Sequence, residues 1–288
     1  MHARPLRYVD GLPTPDRCLV MGVVNVTPDS FSDGGDFLDT DRAIAHGLEL
    51  AAEGADIVDV GGESTRPGAA RPSPEEELRR VLPVVEALAA EGVCVSVDTM
   101  RATVAEAAIN AGARLINDVS GGRADDAMFT VVGGLGAPYV LMHWRGHADR
   151  MQEHTRYADV VRDVAAEIAQ QLDRATKAGI EPARIAVDPG IGFSKTSEQN
   201  WDVLAGLEQL HELGHALLVA TSRKRFLGVL LADEDGELRP AKERDDATTA
   251  TTALAAVAGA WCVRTHSARG SADAVRVAAR WAQRPIQH

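Results

Sequence analysis

The sequence predicts an α/β protein folded as a single (β/α)8 TIM barrel. Eight short apolar runs alternate with helical segments along the 288 residues, and each run ends in polar or charged residues. A run of this length that is apolar on both faces is typical of a parallel strand covered on both sides. The active site of such a barrel lies at the carboxyl ends of the strands, so these polar run ends predict one pocket surrounded by loops.

The predicted strands are short and follow one another along the whole chain. They cover residues 18–24, 57–60, 93–97, 115–116, 139–142, 185–187, 217–220 and 261–263. A doubly wound open sheet is the alternative, but its single crevice would not explain polar residues after every strand. No shift in composition marks a domain boundary, so we expect one domain over residues 1–288, with residues 1–17 as an N-terminal extension.

The segments between the strands carry helix signals. Ser73 followed by acids at 75–77 is typical of a helix start, and Gly92 is typical of a helix end. The predicted helices cover residues 40–53, 73–92, 102–111, 125–133, 157–178, 197–213 and 271–282. A further helical region, 224–258, is expected to be split by the charged segment 232–246.

Composition excludes several classes of protein. A formal net charge of −12 argues against nucleic-acid binding, because a duplex-binding surface needs a stripe of basic residues. The first 17 residues contain no apolar segment long enough for a signal peptide, and no later run is long enough to cross a membrane. We therefore expect a cytoplasmic protein without membrane contact. Cys18, Cys94 and Cys262 lack paired spacing, so reduced core thiols are expected.

Four polar residues at the ends of four strands suggest a binding site for a planar, nitrogen-rich heterocycle. They are Asp98, Asn117, Asp188 and Lys224. A carboxylate opposite an amino-imine edge makes paired hydrogen bonds, and its charge strengthens them. The alternative for the two aspartates is a helix N-cap, where Asp is favoured. That alternative explains one such residue more easily than the whole set.

A second group of residues suggests an anion site. Arg264 and His266 alternate on the last predicted strand, so their side chains share one face. With Asn25, at the end of the first strand, they form a candidate site for an anion or a metal-bound anion. The alternative is that Arg264 pairs with a surface acid and His266 is satisfied in the core.

The stretch His211-Glu212-Leu213-Gly214-His215 matches the H-E-x-x-H pattern of zinc sites. Gly214 lies where the helix should stop, so a continuous helix carrying both histidines is not expected. No third ligand follows at a typical spacing, and we interpret the motif as an exposed helix end.

Seven stretches of the sequence resemble, in the same order, motifs of the dihydropteroate synthases of folate biosynthesis. They are MGVVNVTPDSFSDGG, VDVGGESTRPGA, VSVDTMRA, INDVSGG, DPGIGF, TSRKRFLG and VRTHS, and they span nearly the whole chain. The resemblance implies a (β/α)8 barrel, usually a homodimer, that joins 6-hydroxymethyl-7,8-dihydropterin pyrophosphate to p-aminobenzoate. Pyrophosphate leaves in this reaction, and Mg²⁺ assists.

The resemblance also implies roles for individual residues. The implied pterin pocket comprises Asp98, Asn117, Asp188 and Lys224, with Met142 and Phe193 as apolar walls. The implied pyrophosphate and magnesium site comprises Asn25, Arg264 and His266, with Asn25 as the metal ligand. The loops implied to close over p-aminobenzoate carry Phe31, Asp33, Thr65, Arg66 and Pro67. Ser222 is implied to lie near the carboxylate of that substrate.

The residue types indicate how the implied reaction proceeds. An arylamine is a weak nucleophile and already neutral at pH 7, so a general base would gain little and pyrophosphate departure is the hard step. Magnesium and the cations stabilise the leaving anion, and Asp33 stabilises the positive charge that develops on the pterin methylene carbon. The residues expected to act in catalysis are Asp33, Lys224, Arg264 and His266.

Two expectations follow for the anion site. Arg264→Ala should weaken pyrophosphate binding and leave the binding of bare pterin unchanged. Ser267 stands where Asp usually follows the histidine, so the positive charge of His266 is expected to fade as pH rises through about 6.5.

Three positions depart from the family pattern, namely Ser267, Thr265 in place of an aliphatic residue, and Ala220 in place of a common Gly. None of them removes a residue implied to contact substrate, so an active enzyme is expected. Two other functions stay open. One is pterin-dependent methyl transfer to a corrinoid protein, which would have little need of Arg264, His266 and segment 65–67 together. The other is a non-catalytic paralogue that binds pterin or only assembles.

Overall fold

The structure, a computed structural model, describes residues 7–27, 36–63, 71–146 and 154–282, with the backbone alone at 36–39. Eight parallel strands close into a barrel in the order of the chain, which confirms the predicted fold class. The strands are β1 (Leu19–Asn25), β2 (Ile57–Gly61), β3 (Val95–Asp98), β4 (Leu115–Asp118), β5 (Tyr139–Met142), β6 (Ile185–Asp188), β7 (Ala216–Val219) and β8 (Cys262–Thr265).

Helices surround the barrel. Within the described residues they are α1 (Asp36–Ala52), α2 (Pro74–Ala90), α3 (Ala102–Asn110), α4 (Met128–Leu135), α5 (Val160–Lys177), α6 (Ser197–Ala205), α7 (Leu207–His211), α8 (Arg225–Leu230), α9 (Asp245–Val257) and α10 (Ala268–Ala282). Short 3-10 helices cover Pro182–Arg184 and Ala241–Arg244. The predicted split of region 224–258 is confirmed.

Local sequence explains where several helices begin and end. The Ser73 hydroxyl accepts a hydrogen bond from the Glu76 backbone N–H at 3.2 Å, so Ser73 caps the helix whose start was predicted there. The prediction of one helix over 197–213 was wrong, because Gly206 interrupts the helix and separates α6 from α7. A Cβ at Gly206 would lie only 2.7 Å from Cγ1 of Val161, so the glycine allows α5 to approach closely at this break.

Alternation along each strand separates two apolar clusters. On β1, Leu19 and Met21 belong to the cluster inside the barrel, whereas Val20 and Val24 pack with residues of the surrounding helices. Successive strand residues face opposite sides, so the interior positions at the carboxyl ends are those of the polar residues predicted to form the site. The fold thus provides an apolar base below a polar pocket.

The described part of the N-terminal extension covers the amino end of the barrel. Val9 and Leu12 are buried in the same cluster as Leu19 and Trp261, and Trp261 is 1% exposed. The backbone N–H of Asp10 donates to the carbonyl oxygen of Ala183 at 3.0 Å, which ties the extension to the loop before β6. The amino end is therefore sealed by side chains, and a ligand reaches the interior from the carboxyl end.

Other features of the described chain concern its surface and thiols. None of its described helices has the length and apolar character required to cross a membrane. The cysteines are free thiols, with Cys18 and Cys262 buried and Cys94 half-buried. Arg17 forms a bidentate ion pair with Asp56 at 2.7 and 2.8 Å near the amino end of the barrel.

Candidate active site

Strand pairing brings the predicted heterocycle residues to one end of the barrel. β2 and β3 align Gly61 with Asp98, and β3 and β4 align Asp98 with Asn117. Asp188 is the last residue of β6, and Lys224 precedes the first residue of α8. Closure of the barrel between β8 and β1 then brings Arg264 to the same end.

Arg264 lies at the centre of a hydrogen-bonded network. Its Nε donates to Oδ2 of Asp59 at 2.6 Å, and its Nη2 donates to Oδ2 of Asp98 at 2.7 Å. The Nδ2 of Asn117 donates to the same Asp59 oxygen at 2.9 Å. Arg264 therefore pairs with interior carboxylates, and the alternative of a surface acid was wrong.

Burial and neighbouring charges together shift the pKa values of the ionisable groups in this network. It raises the pKa of Asp98 to about 7, although the positive charge of Arg264 opposes the rise. Burial also lowers the pKa of Arg264, but the charges of Asp59 and Asp98 outweigh it and hold that pKa above its ordinary value. The guanidinium is thus permanently charged, and Asp98 is the group whose protonation can change near neutral pH.

Asp188 and Lys224 form the other polar side of the pocket. Oδ1 of Asp188 accepts a hydrogen bond from the Gly190 N–H at 2.7 Å, and its Oδ2 accepts none from a described residue. Lys224 donates to the carbonyl oxygen of Ile191. Burial lowers the pKa of Lys224 to about 8, against the opposing effect of the Asp188 charge. A ligand here meets a free carboxylate oxygen beside a cationic amine.

Apolar side chains border these polar groups. Met142, with Met100 and Val119, forms a small buried cluster against which Phe193 packs. The Lys224 ammonium lies 5.0 Å from the centre of the Phe193 ring, within range of a cation–π contact. The structure thus brings Met142, Phe193 and Lys224 together, as expected for a flat ligand held between apolar walls and recognised along its edge.

Comparisons with known proteins agree with this geometry. A family model described as "Pterin binding enzyme" matches residues 21–266. The dihydropteroate synthase of Mycobacterium leprae is 54% identical over 263 residues, which cover 91% of this chain and 93% of the relative. The chain belongs to the pterin-binding enzyme family. The family match runs from Met21 in β1 to His266, just after β8, and so includes the strands that carry the site.

Solved structures of relatives share the fold of this pterin-binding enzyme. The dihydropteroate synthase of Xanthomonas albilineans, solved with 4-aminobenzoic acid, is 44% identical with a TM-score of 0.86 and covers 94% of this chain and 95% of its own. The same enzyme in complex with 7,8-dihydropteroate is 41% identical with a TM-score of 0.83, covering 95% and 97%.

His266 contacts Ser222 at the rim of the site. The Ser222 hydroxyl accepts a hydrogen bond from the His266 backbone N–H at 3.1 Å and lies 2.9 Å from Nδ1 of the ring. Both groups are satisfied if the hydroxyl donates to Nδ1, which assigns the imidazole proton to Nε2. Burial, together with the charges of Arg264 and Arg223, lowers the pKa of His266 to about 3. The expected loss of charge near pH 6.5 therefore does not fit the structure.

We expect the His266 ring of the ligand-free protein to stay neutral from pH 5.5 to 8.5. A pKa depressed to about 3 leaves the imidazolium form populated only in strong acid. Nitrogen-15 NMR of the imidazole should show a constant neutral pattern over this range, with a His266→Gln variant to assign the signals. A titration centred near 6.5 would contradict the depressed pKa of His266.

The three departures from the family pattern occupy ordered positions in this pterin-binding enzyme. The Thr265 hydroxyl accepts from the Ser267 N–H and from the Ser271 hydroxyl, both at 3.1 Å, so these residues form a local turn at the start of α10. Ala220 is buried in the interior cluster. The partner of the His266 ring is Ser222, so Ser267 does not leave that ring without a hydrogen bond.

Some predicted site residues cannot be placed. Phe31, Asp33, Thr65, Arg66 and Pro67 lie outside the described residues, and their roles stay predictions. Asn25 ends β1, where it pairs with Gly61 in the neighbouring strand.

The H-E-x-x-H stretch does not form a continuous helix. α7 ends at His211, and Gly214 has a φ of +84°, in the left-handed region that ends helices. The His211 ring contacts the carbonyl oxygen of Ala258 at 2.9 Å, and the His215 ring contacts that of Ile185 at 3.2 Å. The two imidazoles thus contact different parts of the backbone. His211 is buried, at 7% exposure, so the interpretation of the motif as an exposed helix end was wrong for this residue.

Sequence reasoning missed two interior groups in this pterin-binding enzyme. One is Asp59, whose only signal is a carboxylate inside an apolar strand. The other is Lys195, which is 4% exposed and donates to the carbonyl oxygen of Phe193 at 3.2 Å. Lys195 also lies 3.1 Å from Nδ1 of His143, which contacts Glu167 through Nε2 at 3.0 Å. This chain of contacts supports the loop that carries Phe193.

Proposed function

We propose that this chain is a dihydropteroate synthase, which joins 6-hydroxymethyl-7,8-dihydropterin pyrophosphate to p-aminobenzoate and releases pyrophosphate. The observation that carries the proposal is the convergence of Asp98, Asn117, Asp188 and Lys224 on one pocket with apolar walls. Carboxylate and amide oxygens accept from the N–H groups of a pterin, and an ammonium donates to its carbonyl oxygen. The relatives solved with 4-aminobenzoic acid and with 7,8-dihydropteroate support the proposal.

The geometry changes the role that we assign to Arg264. Its guanidinium already serves Asp59 and Asp98, so we expect it to organise the pterin pocket more than to neutralise pyrophosphate. At the anion end, His266 is neutral and offers the N–H of Nε2 as a donor, with Ser222 fixing the ring. Lys224 supplies positive charge while it is protonated. Among the described residues, we therefore expect the His266 ring to donate a hydrogen bond to the pyrophosphate and Lys224 to supply positive charge.

We propose Mg²⁺ as the cofactor, with Asn25 as a ligand. The Asn25 side chain is half-buried at the end of β1 and makes no hydrogen bond to another described residue, so its oxygen is available. Within the described chain, no three His, Cys, Asp or Glu residues form a group that could hold a metal. Mg²⁺ typically takes one or two protein oxygens and completes its shell with substrate phosphates and water, which this arrangement fits. The ion would stabilise the leaving anion.

We also propose that Asp33 opposes the positive charge on the pterin methylene carbon, and that Phe31 and Thr65, Arg66 and Pro67 close over p-aminobenzoate. The resemblance of the loop motifs supports this assignment. The arylamine then attacks without a general base, because it is neutral at pH 7.

We propose that the protein is a homodimer. Large apolar side chains are exposed on the last two helices, where Leu254 is 69%, Val277 62% and Trp281 78% exposed. α9 and α10 pack against each other, so these residues can belong to one surface. An apolar surface of this kind is typical of an interface between subunits. The cytoplasmic location stays a prediction from the sequence.

Pyrophosphate release on mixing both substrates with Mg²⁺ tests the proposed function. We expect stoichiometric pyrophosphate and dihydropteroate, and no product if either substrate is omitted. Pterin binding without product would indicate a non-catalytic paralogue. Methyl transfer from a methylated pterin to a corrinoid protein, without pyrophosphate release, would indicate the methyltransferase alternative.

A further inference from the structure

Asp59 joins two residues of the candidate pterin site. It lies on β2 with 0% exposure, and its Oδ2 accepts from Nδ2 of Asn117 at 2.9 Å and from Nε of Arg264 at 2.6 Å. Asn117 belongs to β4 and Arg264 to β8, so one carboxylate oxygen connects strands on either side of β2 that do not pair with each other.

The contact fixes the orientation of the Asn117 amide. An ionised carboxylate can only accept hydrogen bonds, so the amide must direct its nitrogen to Asp59. The carbonyl oxygen Oδ1 accepts no hydrogen bond from a described residue and is the atom left for a ligand. A neutral partner could hold the amide in either orientation, so the charge of Asp59 decides which atom Asn117 offers.

The same carboxylate orients Arg264. With Nε held by Asp59 and Nη2 held by Asp98, the planar guanidinium is fixed at two of its three nitrogens. A guanidinium held in this way cannot turn about its long axis without breaking a charge-assisted bond. The N–H groups that remain are therefore offered in one direction.

The other oxygen of Asp59 takes no part in the contacts with Asn117 and Arg264. Oδ1 is buried and has no hydrogen-bond partner among the described residues, and the same holds for the hydroxyl of Ser96, which pairs with Asp59 across β2 and β3. Both contacts that orient Asn117 and Arg264 therefore depend on Oδ2 alone.

We propose that Asp59 is a positioning residue for the pterin site, which orients Asn117 and Arg264 toward the heterocycle through a single shared oxygen. The proposal rests on the function proposed above for its ligand. The orientation of Asn117 and Arg264 is independent of that function, because it can be measured in the ligand-free protein.

The test is the variant Asp59→Asn, which keeps the shape and one acceptor but removes the charge. Bare pterin should bind roughly ten- to hundredfold more weakly, because hydrogen bonds to charged groups are the strong ones. The charge of Asp59 raises the pKa of Asp98, so its removal should move the Asp98 titration to lower pH. Carbon-13 NMR of the ligand-free protein follows that titration, with Asp98→Asn for assignment.

Asp56→Asn is the matched control. It removes the same charge from a carboxylate that also binds an arginine, Arg17, at the opposite end of the barrel. We expect it to lower stability without changing pterin affinity or the Asp98 titration. Equal effects of the two variants on pterin binding, or an unmoved Asp98 titration in folded Asp59→Asn, would overturn the proposal.

A measurement on the unaltered protein covers the case in which Asp59→Asn does not fold. The side-chain amide protons of Asn117 should exchange slowly with solvent in the ligand-free state, and the amide should keep its orientation toward Asp59 when pterin binds. Rapid exchange, or reversal of the amide on binding, would overturn the proposal. If the unaltered protein binds no pterin while its Asn117 amide is protected, the proposed function fails and the orienting role of Asp59 stands.

Discussion

Replacing Asp188 by alanine is expected to abolish measurable pterin binding. The carboxylate is 4% exposed, and one of its oxygens accepts no hydrogen bond from a described residue, so a pterin would find its charged acceptor there. Loss of that acceptor leaves ligand N–H groups unpaired in a dry site, at a cost of about 2–4 kcal/mol. Calorimetry with bare pterin measures the change directly.

A second substitution at the same position separates the effect of the Asp188 charge on pterin binding from its effect on the shape of the loop after β6. Asp188→Asn retains an oxygen that can accept from the Gly190 N–H, so the loop after β6 should keep its shape. The amide nitrogen of the new asparagine would face N–H donors of the heterocycle and could not accept their hydrogen bonds. We therefore expect nearly the same loss of affinity as for Asp188→Ala.

Asp125→Ala is the control for the Asp188 variants. Asp125 also accepts hydrogen bonds from the backbone, at Ala102 and Ala127, but belongs to a turn after β4 outside the pocket. Pterin affinity should be unchanged in this variant. An unchanged affinity in Asp188→Ala would remove Asp188 from the site.

Replacing Arg264 by alanine is expected to damage both the fold and the pterin site. The change leaves Asp59 and Asp98 buried without their cation, and breaking a buried ion pair costs about 3–5 kcal/mol. The pKa of Asp98 should rise further, because the Arg264 charge now holds it down. Bare pterin should therefore bind more weakly, in contrast to the sequence-based expectation that only pyrophosphate is affected.

The pH dependence of the Arg264→Ala defect has a defined sign. A carboxyl group whose pKa is raised in the folded state destabilises that state above the pKa of the unfolded chain. The loss of unfolding free energy should thus be larger at pH 8 than at pH 5.5, where Asp98 is protonated. Chemical denaturation at both pH values measures it.

Two further variants are compared with Arg264→Ala: a conservative substitution of Arg264 and a control at the other end of the barrel. Arg264→Lys keeps a charge but cannot donate to both carboxylates from a planar fork, so an intermediate loss is expected. Arg17→Ala removes a bidentate partner of Asp56 at the other end of the barrel and should lower stability without affecting pterin. Selective loss of pyrophosphate affinity in Arg264→Ala, with normal stability, would restore the original assignment.

The strands could be predicted from the sequence because their signal is local. Each run, such as the one ending at Asp98, is buried on both faces and followed by polar residues, so neighbouring positions alone identify it. The same logic identified Asn117, the last residue but one of β4, and Asp188, the last residue of β6. The break at Gly206 escaped prediction because it depends on the distance to Val161 in another helix.

The charges of the site could not be predicted because they depend on distant partners. Arg264 lies 205 positions from Asp59 and 166 from Asp98 in the chain, and only closure of the barrel brings them together. Asp59 was interpreted as part of an apolar strand for the same reason. The neutrality of His266 likewise results from burial and from the neighbouring Arg264 and Arg223, which no local pattern reveals.

The seal formed by Val9, Leu12 and Trp261 has a kinetic consequence. The pocket is closed at the amino end of the barrel, so every ligand enters and leaves at the carboxyl end. Whatever occupies the floor beside Asp98 and Asn117 is trapped while another molecule lies above it. Release must then follow a compulsory order, with the outer molecule departing before the inner one. Inhibition by the inner product should accordingly be competitive with the inner substrate, which steady-state product-inhibition patterns can measure.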